Sequence, residues 1–129
     1  MASSVTNIAG VLSAISYPVA FDSTSPVTIS TIPANSQIVD VNIDIITAFD
    51  AGTTNTISVG KTGSAAAFVA ATDAGTAGRA SVATTGVYSA WEDVGTSDVV
   101  ATATFAQTGT AATAGSAIVT IVYKTYSAQ

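Results

Sequence analysis

DVNIDIITAFDAGTTNTISVG, residues 40–60, decides how the chain is read. Its opening places Asp40, Asn42 and Asp44 at every second position, as a calcium loop does, and Val41, Ile43 and Ile45 between them. A calcium loop of the EF-hand type requires Gly at its sixth position and Glu at its twelfth. Counted from Asp40, those positions hold Ile45 and Ala51. Along a strand rising about 3.3 Å per residue, Asp40 and Asp44 stand roughly 13 Å apart, too far for one ion to bridge. The stretch therefore reads as a β-strand with a polar face of Asp40, Asn42 and Asp44 and an apolar face of Val41, Ile43 and Ile45. Asp50, Gly52 and Asn55 return the chain, and residues 56–60 make a short strand with Ile57 and Val59 inward.

Composition extends this reading to the whole chain of 129 residues. Val and Ile number 26, against one Leu, one Met and one Glu. β-Branched side chains lose rotamer freedom in a helix and pack well on a pleated surface. Working outward, residues 11–21 form a loose strand interrupted by Pro18, which suits an edge. Residues 27–32 form another, with Val27, Ile29 and Thr31 on one face. Pro33 to Ser36 turn the chain, with Asn35 suited to the left-handed region. The longest strand runs over residues 37–49. AAAFVAAT, residues 65–72, is open between a weak strand and a turn or two of helix, because Ala favours helix. Residues 75–78 are loop. Residues 80–85, 87–91, 99–106 and 117–126 complete the set, the last with Val119, Ile121 and Tyr123 facing one way. Gly75, Gly78, Gly109 and Gly115 read as turns. Eight or nine short strands with regular turn signals predict an all-β single domain, a β-sandwich or jelly roll of about eight antiparallel strands. Residues 1–26 are an N-terminal arm and first edge strand, and residues 27–129 the sandwich. The arm, residues 1–11, is expected to order only against something else.

Charge narrows the function. Lys61, Arg79 and Lys124 face seven Asp and one Glu, for a net charge of −5. Three cations cannot form the basic stripe that nucleic acid requires. No run approaches the roughly 18 apolar residues of a membrane span, and the N-terminus lacks the charged and apolar blocks of a signal peptide. Cysteine is absent, so no disulfide framework exists. Only 9% of residues are charged, while Ala, Ser and Thr number 61. A solvated monomer carries about 25–35% charged residues on its surface. This neutral exterior of small side chains suits contact with copies of itself or with another protein.

Chemistry is scarce. Without His or Cys, the usual bases, the thiol nucleophile and most transition-metal ligands are missing. Ser and Thr are plentiful but have no base to activate them, and no phosphate-binding glycine loop occurs. Glu92 and Asp93 are adjacent and belong to a solvated edge or loop; a hydrolase would need a non-local pair, such as Asp50 with Asp73. The chain reads as no enzyme, with no cofactor and no metal site. Trp91, Phe49, Phe105 and Tyr123 are expected to fill the core, although Trp91 could instead offer a sugar-stacking platform. Tyr17, Phe21 and Tyr126 lie near chain ends, where partner contact is expected. Arg79 either pairs with a carboxylate across a subunit boundary or is an exposed loop charge.

Four pieces, IPANSQIVDVNIDIITAFDAG (32–52), TISVG (56–60), TTGVYS (84–89) and ATATFAQTGTAATAGSAIVTIVYK (101–124), resemble the jelly-roll decoration, or cement, proteins of tailed bacteriophage capsids and related β-domains of phage head fibres. The likeness spans roughly residues 27–126 and carries no catalytic signature. It implies a homotrimer on the outer surface of the virion, made in the host cytoplasm, that clamps neighbouring major capsid subunits after the shell expands. The alternative is a carbohydrate-binding or adhesin-like β-sandwich from a fibre or cell surface.

Overall fold

A computed structural model describes residues 12–81 and 94–125. Eight strands occupy them: β1 (Leu12–Ala20), β2 (Val27–Ile32), β3 (Ser36–Thr47), β4 (Thr54–Lys61), β5 (Ser64–Asp73), β6 (Gly78–Ser81), β7 (Val99–Thr108) and β8 (Ser116–Thr125). They form two four-stranded sheets, ordered β1-β8-β3-β6 and β2-β7-β4-β5, and every pairing is antiparallel. Only β4 and β5 are sequential neighbours within a sheet; every other connection crosses between the two. This is the eight-stranded jelly roll.

The opening stretch is the middle of β3. Val41, Ile43 and Ile45 are buried, while Asp40, Asn42 and Asp44 line the outer surface. Asp40 accepts from the Val41 N–H at 2.9 Å and from Asn42 Nδ2 at 3.3 Å. The strand reading holds, and so does the inward set of β8, with Val119 and Ile121 buried and Tyr123 packed against the core. Ile57 and Val59 are both fully buried. Asn35 takes φ 61°, as its place in a turn predicts. Its N–H donates to the Gly95 carbonyl at 2.7 Å.

One open reading is settled and one changes. Residues 65–72 are strand: β5 runs from Ser64 to Asp73 and buries Phe68 and Val69. Pairing with β4 overrides alanine's helical preference. In β2, Thr31 is exposed and Ile32 is buried instead. A bulge between Thr28 and Ser30 shifts the register against β7, and one extra residue moves every later side chain to the other face. Phe49 lies just beyond β3, in the loop to β4, yet is 2% exposed. Its ring meets Phe105 at 4.6 Å between centroids, tilted by 38°. The strand expected over residues 87–91, the core role of Trp91, the Glu92–Asp93 pair and Tyr126 lie outside the described residues.

Candidate interaction surfaces

The connections β1–β2, β3–β4, β5–β6 and β7–β8 gather at one end of the sandwich and are tied by backbone bonds. Phe21 N–H donates to the Gly115 carbonyl at 3.1 Å, Phe49 N–H to Ala74 at 3.0 Å and Gly52 N–H to Thr110 at 2.8 Å. Asn55, buried in β4, accepts from the Ala51 N–H at 2.9 Å and donates to the Ala51 carbonyl at 3.3 Å. Asp50 joins the β3–β4 and β7–β8 loops. It accepts from Thr113 N–H at 2.7 Å, Ala114 N–H at 3.0 Å and Thr113 Oγ1 at 3.0 Å. The Thr113 backbone bond, then that of Ala114, holds its carboxyl below the usual carboxylate range. A carboxylate whose folded pKa is depressed adds stability above its unfolded pKa, about 3.9, and loses that contribution as pH falls through the folded value. Thermal unfolding followed on the acid side of that pH is therefore expected to show a shallower loss of stability for Asp50→Asn than for the parent. An unchanged slope would mean the loop bonds do not discriminate the charged form.

Asp50 is thus engaged with the loop across from it. Among the described residues no three carboxylates cluster as metal ligands would. Among the described residues, two shallow recesses stand out. One, of about 190 Å³, lies between Ile45, Asp73 and residues 76–79. The other, of about 350 Å³, lies under the β4–β5 turn, against Pro26, Thr102 and Thr104. Thr104 Oγ1 at its floor is buried without a hydrogen-bond partner. An unmade buried bond costs roughly 1–3 kcal/mol, so Thr104→Val, which keeps the shape and removes the hydroxyl, is expected to stabilise the fold by about 1 kcal/mol in denaturant titration.

The two outer faces differ in chemistry. On the β2-β7-β4-β5 sheet the side away from the core carries hydroxyls: Thr102, Ser58 and the Thr104 hydroxyl are covered, while Thr54 and Thr108 are exposed and their hydroxyls bond at 2.6 Å. On the β1-β8-β3-β6 sheet, register places Ala14 beside Val122 and Asp40, and Pro18 beside Ile118, Asp44 and Arg79. Apolar pairs of β1 and β8, Ala14 with Val122 and Pro18 with Ile118, therefore lie next to the carboxylates of β3, with the bonded hydroxyls of Ser16 and Thr120 between them. The polar face noticed first in the sequence is one half of this surface. Its apolar half could not be read from sequence, because Pro18 and Ile118 are a hundred positions apart.

Of the four residues singled out as partner contacts, Tyr126 lies outside the described residues, and Tyr17, Phe21 and Arg79 are not brought together. Tyr17, on β1, is 43% exposed at one edge of its sheet. Arg79 lies on β6 at the opposite edge, across from Asp44 within the same subunit. Phe21 is half-buried against the core and its backbone is bonded to Gly115. Leu12 at 57% and Ile46 at 58% exposure are outward apolar side chains that sequence reasoning missed. Ile46 is the extra residue of a bulge in β3, so no alternation pattern marks it.

No protein-family model and no curated sequence matches this chain. Among solved structures, a chain of the cyanophage Pam1 capsid asymmetric unit superposes with a TM-score of 0.73 at 22% identity, over 97% of this chain and 92% of that one. A chain of the acid-stable capsid of Helicobacter pylori bacteriophage KHP30 gives 0.66 at 15% identity, over 93% and 92%. A chain of the Ralstonia phage GP4 capsid gives 0.66 at 15%, over 99% and 93%. The jelly roll built here, end to end, is a fold that chains of phage capsid structures share.

Proposed function

We propose that this protein is a structural component of a phage virion that decorates the outer surface of the expanded capsid as a homotrimer and stabilises it by clamping neighbouring major capsid subunits. One observation carries the reading: the likeness to capsid chains covers over nine-tenths of both partners. Each similar chain is therefore about the size of this one, a small separate subunit and not a domain of a large shell protein. The bland charge and the apolar pairs of the β1-β8-β3-β6 sheet support it, since both favour a covered surface. A trimer touching several capsid subunits multiplies modest contacts through effective concentration, and a binder of the intact lattice stabilises that lattice by mass action.

Purified protein mixed with undecorated, expanded capsids is expected to bind stoichiometrically and raise the temperature of capsid disruption. Absence of binding would discard the proposal. The carbohydrate-binding alternative rests on Trp91, which lies outside the described residues; among the described aromatic residues only Tyr17 is exposed.

A further inference from the structure

The larger recess, about 350 Å³, is built by the β4–β5 turn. The backbone of residues 64–65 passes close over Gly60, which has no side chain to obstruct it. Gly63 takes φ 86°, in the left-handed region that glycine enters freely, and faces open space. The β4–β5 ladder is irregular on both sides of Val59, and such irregularities often re-aim chain and side chains beside a binding site. The turn thus forms one wall, with Pro26, Thr102 and Thr104 making the rest of the lining. Thr102 is 7% exposed. Among the described residues Thr104 Oγ1 is the buried side-chain polar atom left without a hydrogen-bond partner. A buried hydroxyl in that state calls for a partner from outside the chain: a water, an ion or a ligand. One water takes up about 30 Å³ of liquid, so the recess has room for more; ligand sites begin at about 300 Å³. Its lining carries one charged group, the Lys61 ammonium, and no carboxylate, in a chain whose acids outnumber its bases eight to three.

We infer that this recess binds a carboxylate on a short apolar stem, supplied by a free small acid or by an acidic side chain of another subunit. The Thr104 hydroxyl donates to one carboxylate oxygen and the Lys61 ammonium to the other, a charge-assisted pair of bonds. The stem lies on Pro26 and Ala65. A phosphate group, with three strong acceptor oxygens and nearly two charges, asks for more donors than one ammonium and two hydroxyls. A neutral amide would leave the ammonium unused. The inference is independent of the proposed virion role, because its test requires neither capsid nor trimer.

The test is an NMR titration of the isotopically labelled full chain with potassium propionate, run against potassium chloride at equal ionic strength so that screening cancels. Amide shifts confined to residues 61–65, Thr102 and Thr104 are expected, saturating by about 100 mM, the weak end for so small a ligand. Propionamide, of the same shape without the charge, should produce none. Lys61→Met keeps the stem and removes the charge; Thr104→Val keeps the shape and removes the hydroxyl. Each should weaken binding by about tenfold or more, the loss of one hydrogen bond to a charged group. Both variants should fold, since Lys61 is exposed and the Thr104 hydroxyl makes no bond. N-acetylglutamate amide, titrated in parallel, separates the two sources. Binding at least as tight as propionate assigns the recess to an acidic side chain of another subunit, and weaker binding assigns it to a free acid. The inference is overturned by the absence of a saturable shift, the result for a recess that holds only water. An equal response to propionamide, or undiminished binding by either variant, overturns it as well.

Discussion

Phe49→Ala is expected to lower folding stability by about 3–5 kcal/mol, the range for truncating a buried aromatic ring. Domains of this size are stable by roughly 5–15 kcal/mol, so the variant should stand near its unfolding midpoint at modest denaturant. The reason lies in where the ring sits. Phe49 is outside any strand, 2% exposed, and closes the end of the sandwich where the four crossing loops meet. Its N–H is bonded to Ala74, its ring packs on Phe105, and Gly115 lies against its other side. A Cβ on Gly115 would stand 2.5 Å from Phe49 Cγ, so the β7–β8 loop is shaped around the ring. Alanine would leave a cavity that loops bonded at several backbone points cannot collapse to fill. Guanidinium titration should show a lower midpoint at unchanged slope. Phe49→Leu, which keeps most of the volume, should cost less than half as much; equal costs for the two would show that the ring's bulk is not what holds this end together.

Gly60→Val is the second large effect. Gly60 has no unusual backbone angle; its need is space. Residues 65–68 are displaced from the β4–β5 ladder, and the backbone of residues 64–65 passes close over Gly60 of β4. A Cβ at position 60 would lie 2.5 Å from the Ala65 carbonyl carbon and 2.6 Å from its oxygen. Both atoms are backbone and cannot rotate away. Overpacking of this kind typically costs 1–3 kcal/mol. Because Val adds two methyl groups beyond the clashing Cβ, about 3 kcal/mol is expected, with Gly60→Ala intermediate. Loss of hydrogen-exchange protection should concentrate in β5, the edge strand that must move. Uniform loss across both sheets, or no loss, would contradict the proposed contact.

These two positions also show what was legible in advance. Aromatic content marked Phe49 as core, but the strand was expected to carry it; that it plugs a loop junction follows from four connections meeting at one end. Gly60 looked like the end of a short strand. Only the bulge in β5 turns it into a crossing point, and a bulge is set by partner register and leaves no mark in composition. The face change in β2 has the same cause. The candidate contacts fared similarly. Tyr17 drew notice for its position near a terminus, yet its exposure comes from sheet order, which puts β1 at an edge. Phe21 drew notice for the same reason and is instead packed on the core.

Strand identity and the inward side of each regular strand were set by sequence alone, because a period of two is a local property and the β-branched residues of β3, β4 and β8 display it without reference to anything distant. The absence of His and Cys was equally plain. Pairing partners, bulges and edges were decided only by the tertiary structure, since they depend on contacts between residues as much as 112 positions apart, as Leu12 and Lys124 are. The surface that a neighbour would cover is therefore a product of topology: its apolar pairs exist only once β1 and β8 lie side by side.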